Sequence, residues 1–225
     1  MHGLLAVVLA LIAVVADGAI ISGLCNDKNT STPLVKGDQT YICINVNDMY
    51  RAVFTPTVDD YVQLRMYNSY SDNRIVNASA ASFLTLSSMT SRSVYKLYAD
   101  VTGRAFPTLT AIITVANGII QGISWDDGCY LCDAASCMSN LYASPKRPLL
   151  NSAFGDGSTC YMNRTTCTAT DNACDLGIYV GWTGTDYNGN YLSSAGMRVS
   201  QFQAFSVSSY VSDLKNKLST LLPRF

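Results

Sequence analysis

Twelve consecutive apolar residues, Leu4–Val15, stand near the start of the chain, and all eight cysteines lie downstream of them. That ordering constrains the fold more than any other feature. A short apolar run followed by Ala16-Asp17-Gly18-Ala19 has the pattern of a cleaved export signal. A membrane span needs about 20 apolar residues, and Asp17 interrupts the run before that length is reached. The segment ahead of the run carries no Lys or Arg, so a retained signal anchor is the alternative. Cleavage after Gly18 or Ala19 assigns 1–19 to the signal and starts the mature chain at Ile20. No second long apolar run follows, and no membrane insertion is expected after cleavage.

Export makes the cysteines readable. Cys25, Cys43, Cys129, Cys132, Cys137, Cys160, Cys167 and Cys174 are even in number, and an oxidising compartment turns them into four disulfides. Cys25 and Cys43 lie apart from the others and are the expected isolated bridge. The remaining six pair in ways the sequence does not choose among. Three acceptor triplets, Asn29-Thr30-Ser31, Asn77-Ala78-Ser79 and Asn163-Arg164-Thr165, add N-linked glycans to the expectation.

Composition removes several kinds of chemistry. The only histidine, His2, leaves with the signal, and the chain has no Glu. Without an imidazole, a Ser–His or Cys–His nucleophile pair cannot be assembled. No Gly-x-Ser-x-Gly elbow and no Gly-rich phosphate loop is present. All sixteen acidic residues are Asp, and loss of Asp17 leaves fifteen Asp against fifteen Lys plus Arg. A formally neutral surface favours association. The basic residues are scattered, which argues against nucleic acid as a partner. The expectation is a chain that is not an enzyme, takes no cofactor and has itself as its main partner.

The chain divides into three zones. The first, 20–125, reads as strands. Thr40–Val46 is rich in β formers. Tyr61–Tyr67 places Val62, Leu64 and Met66 on one face, with Gln63 and Arg65 opposite, the period of a half-buried strand. Ser82–Leu86 and Val94–Val101 look similar. Leu109–Val115 and Ile119–Trp125 flank Ala116-Asn117-Gly118, and Asn-Gly supplies the positive φ angles of a tight hairpin. The second zone, 126–174, holds six cysteines and few apolar runs, so cross-links replace burial there. The third, 175–225, returns to strands at Ile178–Thr183 and Met197–Val207, then to a helix over Ser208–Leu222. The expected fold is mostly β: an antiparallel β-sandwich, Ig-like or jelly-roll-like, with a disulfide-rich insertion and a short C-terminal helix. The strand ending at Trp125 and the strand from Ile178 are candidate neighbours in one sheet. Two separate domains are the alternative.

Other patterns compete with these readings. Cys129-x-x-Cys132-x4-Cys137 has the spacing of a metal knuckle, but export and the missing imidazole favour disulfides, and no metal is expected there. Asp126-Asp127 after Trp125 suggests a glycosidase, yet adjacent residues on a strand point apart, and a turn is the simpler reading. Asp59-Asp60 reads the same way. Asp186-x-Asn188-x-Asn190 opens like a calcium loop, but Tyr191 stands where Gly is needed. An Asx-rich turn is the first reading and calcium the second. Trp125 and Trp182 lie in strand patterns and belong to the core. Tyr67, Tyr70, Tyr187 and Tyr191 fall near turns and are the aromatic candidates for a sugar-binding surface. The apolar start of the mature chain, with Ile20, Ile21 and Leu24, reads as an ordinary first strand or as a strand that completes a neighbour's sheet.

Two stretches carry a resemblance. They are Trp125-Asp126-Asp127-Gly128-Cys129-x-x-Cys132 and Gly181-Trp182-Thr183-Gly184-Thr185-Asp186, the latter followed by Ser194-Ala195-Gly196-x-Arg198-x-Ser200-x-Phe202. In these the C-terminal half resembles secreted cysteine-rich surface or fibril-forming proteins of microbial eukaryotes. The resemblance implies an extracellular structural role and brings no catalytic residues with it. Taken together, the sequence points to a secreted, glycosylated structural subunit of an extracellular filament, coat or matrix. A lectin-like carbohydrate-binding module is the alternative, and an Asp-based glycosidase comes third.

Overall fold

The computed structural model describes residues 32–89, 91–126, 128–129, 132–139, 158–169 and 172–197. The expected signal over 1–19, Ile20, Ile21, Leu24, Cys25, Asn29, Asp127 and the helix expected over Ser208–Leu222 lie outside the described residues, as does nearly all of Met197–Val207. No helix among the described residues is long and apolar enough to cross a membrane.

Alternation of apolar and polar residues builds two sheets over one core. The first sheet contains β1 (Ile42–Val46), β2 (Tyr50–Phe54), β4 (Ser82–Ser88), β5 (Ser91–Arg92), β6 (Lys96–Ala99), β7 (Arg104–Ala105) and β12 (Met162–Asn163). Its order is β12-β7-β6-β4-β1-β2, with β5 beside β4. The second contains β3 (Val62–Met66), β8 (Thr108–Ala116), β9 (Ile119–Trp125), β13 (Leu176–Thr185) and β14 (Tyr191–Leu192). Its order is β14-β13-β8-β9, with β3 also on β13. Ile42, Ile44, Val46, Leu84 and Leu86 of the first sheet share one buried cluster with Leu109, Ile113, Ile178, Val180 and Trp182 of the second. The fold is therefore a mostly antiparallel β-sandwich, as the sequence implied. Two small strands, β10 (Cys137–Ser139) and β11 (Ser158–Cys160), form a separate ribbon in the cysteine-rich stretch, followed by a short helix, α1 (Arg164–Ala169).

One expectation about neighbours needs correcting. The strand ending at Trp125 shares a sheet with β13, but β8 lies between them. β13 runs parallel to β8, with Ile178 beside Leu109 and Trp182 beside Ile113, while every other strand pairing among the described residues is antiparallel. A parallel pair needs a long crossover, and the cysteine-rich stretch between β9 and β13 provides it. Both tryptophans are buried, as expected.

Two turns show why particular residues are required. Asn117 and Gly118 take φ of 51° and 77° between the paired residues Ala116 and Ile119, the two-residue hairpin the sequence signals. A side chain at Gly118 would meet the Leu34 carbonyl oxygen at 2.9 Å, because Pro33 and Leu34 cross the hairpin tip. The turn between β1 and β2 uses positive φ at Asn47 and Asp48. It produces β2, an edge strand whose residues are all half-buried and which the period-2 pattern did not reveal. Among the described residues β2 pairs only with β1.

Candidate functional site

The cysteines are the first expected site residues to locate. Cys129 bonds Cys137, Cys132 bonds Cys160, and Cys167 bonds Cys174. Cys43 is also disulfide-bonded, while its expected partner Cys25 lies outside the described residues. The Cys129 and Cys132 bridges fasten the β10–β11 ribbon, where Cys137 pairs with Cys160 across the strands. Sulfurs of Cys129, Cys132 and Cys160 lie within 4.8 Å of one another. All three are oxidised, so the knuckle spacing serves cross-links and presents no thiolate for a metal. Disulfides of this kind belong to an oxidising environment.

Covered carboxylates form a second group, and each fastens a loop. Asp59 accepts the backbone N–H groups of Ser193 and Ser194 at 2.7 and 2.8 Å and pairs with the Lys36 ammonium at 2.6 Å. Asp100 Oδ1 accepts the N–H of Thr102 and of Arg104 and the Thr102 hydroxyl, while Oδ2 takes Arg104 Nε at 2.7 Å. Asp175, just ahead of β13, accepts the N–H of Asn68 and Tyr70, just beyond the end of the neighbouring strand β3. Asp186 Oδ1 takes the N–H of Asn190, and Oδ2 takes the Lys36 N–H and the Asn190 amide. Burial pushes the carboxyls of Asp59, Asp100 and Asp186 up, but these donors outweigh it and hold all three below the ordinary carboxylate range.

Asp186 and Asn190 are thus brought together as the calcium reading requires, with the wrong polarity for a cation. The carboxylate is met by N–H groups, and Asn188 and Asn190 are exposed on the turn. The arrangement closes the β13–β14 hairpin and ties it to Lys36.

The third feature is a groove of about 640 Å³ between the loop 68–78, the β6–β7 turn and the segment around α1. That volume lies within the range of ligand clefts, about 300–1,000 Å³. Its walls are held by the bonds just described. Asp175 pins the first wall, Asp100 shapes the second, and the Cys167–Cys174 bridge closes the third. Gly103, with φ of 87°, lets the second wall approach Arg164, whose Cβ stands 3.2 Å from where a side chain at 103 would begin. Tyr98 ties the floor together by exchanging a hydrogen bond with Ser69 and donating to the Cys174 carbonyl. Burial pushes the Tyr98 phenol well above its ordinary value.

The lining is polar. Tyr70 is half-buried there, with its phenol pushed up by burial and partly offset by the Arg164 guanidinium. Arg164 is exposed, and its guanidinium has no hydrogen bond or ion pair among the described residues. Asn77 is exposed and lines the mouth, whereas Asn163 is exposed on β12 and does not line it. The other tyrosines expected at turns, Tyr67, Tyr187 and Tyr191, are exposed elsewhere. Sequence reasoning singled out Tyr70 and Asn77 separately, but nothing in the sequence placed them beside Arg164.

Comparison with known proteins is decided by one match. The model of the family described as Uncharacterised protein DDB_G0273449 matches residues 67–217. The chain belongs to this family. No curated protein and no solved structure matches it. The DDB_G0273449 match spans every residue that lines the groove, all three described disulfides and the parallel β8–β13 pair, and it begins after β1 and β2.

Proposed function

We propose that the protein is a secreted, glycosylated structural subunit of an extracellular filament, coat or matrix. The observation that carries the reading is the use of its covered carboxylates. Asp59, Asp100, Asp175 and Asp186 are occupied by backbone and side-chain donors and hold loops in place. General acid and base work on a glycosidic bond needs a pair of carboxyl groups facing across a cleft, about 5–10 Å apart. These four are committed to fastening the scaffold instead. Three disulfides do the same for the stretch least able to bury a core. A rigid, neutral chain whose edge strand β2 pairs only with β1 among the described residues suits self-association by strand addition. The apolar segment Ile20–Leu24 is the proposed donor. Its deletion is expected to leave a folded, secreted monomer, and light scattering of the purified protein reads the change. Self-association that survives the deletion would rule out strand donation by this segment.

The polar groove favours a second reading, a lectin-like module. Glycan-array binding that is lost on Arg164→Ala would support it. A blank array from an assembling protein counts against it.

A further inference from the structure

The groove and the Asn77 acceptor triplet meet at one rim, and neither the fold nor the proposed assembly requires that. Asn77 Oδ1 accepts the N–H of Ser79 at 2.8 Å, an Asx turn that fixes the amide plane. Its Nδ2 group and the Ser79 hydroxyl have no partner among the described residues, so both groups of the acceptor triplet are available for modification. The same side chain lines a groove whose walls are already rigid. Inside it, the side-chain amides of Asn68 and Asn73 have no hydrogen-bond partner among the described residues, and neither has the Arg164 guanidinium. Paired donors and acceptors on short side chains, a guanidinium and one aromatic ring match the hydroxyl, acetamido and CH faces of a sugar.

We propose that the glycan carried by Asn77 folds back into this groove, its inner sugars lying against Tyr70 and Arg164. The inference rests on the reading of the chain as exported and glycosylated, and it names what occupies the groove. A covalently attached ligand is present at high effective concentration, so modest contacts suffice to hold it where a free sugar would bind weakly. The docked glycan covers the polar groove and leaves β2 on the first sheet accessible. Asn163 provides an internal comparison, because its side chain is exposed but does not line the groove.

The test uses the full chain secreted from eukaryotic cells. Site occupancy is mapped by mass spectrometry, and native protein is then treated with peptide N-glycosidase F. Release from Asn77 is expected to be at least about tenfold slower than from Asn163, a preference of about 1.4 kcal/mol for the docked state. Heat-denatured protein should lose both glycans at similar rates. Arg164→Ala, a change at an exposed side chain that leaves Asn163-x-Thr165 an acceptor triplet, should bring the Asn77 rate toward that of Asn163, while the fully deglycosylated variant and wild type should melt at the same temperature. Equal native rates at the two sites would overturn the proposal while leaving export intact. So would a secreted chain glycosylated at Asn163 but bare at Asn77. A chain with no occupied acceptor would overturn the export reading as well.

Discussion

Replacing Asp100 by Asn isolates what one covered carboxylate contributes. The side chain is 2% exposed and accepts four hydrogen bonds, three at Oδ1 and one at Oδ2. Asn keeps an oxygen in the Oδ1 position, so the donors from Thr102 and from the Arg104 backbone retain a partner. Its NH2 group then faces Arg104 Nε, donor against donor, where the carboxylate held that group at 2.7 Å. The loss is close to one charge-assisted bond, about 2 kcal/mol on a scale of about 1.5–3 kcal/mol for bonds to charged groups. For a chain of this size about 2–4 °C of melting temperature accompanies each kcal/mol, which gives a fall of about 4–8 °C at pH 7. The pH dependence supplies the sharper check. The folded carboxyl titrates below its ordinary value of 3.8, so its stabilisation is present above that value and is lost as pH falls through the folded one. The gap between wild type and Asp100→Asn, followed by circular dichroism on melting, should therefore shrink as the pH is lowered below the ordinary value of 3.8. A gap under about 1 °C at pH 7, well below the shift expected for one such bond, or a gap unchanged by acid, would refute the role given to this carboxylate.

Other residues give independent checks. Gly184 sits beside Val115 in the parallel β8–β13 pair with φ of 107°, and a Cβ there overlaps the Val115 carbonyl oxygen. Gly184→Ala should cost more than about 4 kcal/mol and abolish secretion. Gly189→Ala has the same sign of φ but open space around it, and should cost only about 1–2 kcal/mol in a melting curve. Tyr98→Phe removes the hydroxyl shared by Ser69 and the Cys174 carbonyl, and should lower stability by about 1–3 kcal/mol in urea titrations. Joint replacement of Cys167 and Cys174 by Ser opens a short loop at the groove wall. It should cost about 2–3 kcal/mol while the sandwich still unfolds cooperatively.

Strands facing the core on one side were legible because their residues alternate. Val62, Leu64 and Met66 announce β3, and Asn117-Gly118 announces the hairpin that joins β8 to β9. β2 was not legible. Tyr50–Phe54 lies at a sheet edge, half-buried along its whole length, so no alternation marks it. The parallel pairing of β13 with β8 was hidden for a different reason, since register between strands some 60 residues apart depends on a crossover whose course the sequence does not state. Disulfide pairing followed the same logic: Cys132 reaches Cys160 because β10 and β11 form a ribbon. Asp186 and Asn190 were visible as a cluster, and hydrogen-bond polarity, which composition does not encode, decides how they act. The groove drew least on local pattern, because three separated segments build its walls.

The central claim is that the secreted chain assembles. The direct measurement is sedimentation of the full, secreted and glycosylated chain, with negative-stain microscopy of the same sample. Regular fibres or large oligomers, formed in neutral buffer without reduction of the disulfides, are the result expected here. A single glycosylated monomer across the whole concentration range, with empty micrographs, would contradict the structural-subunit account.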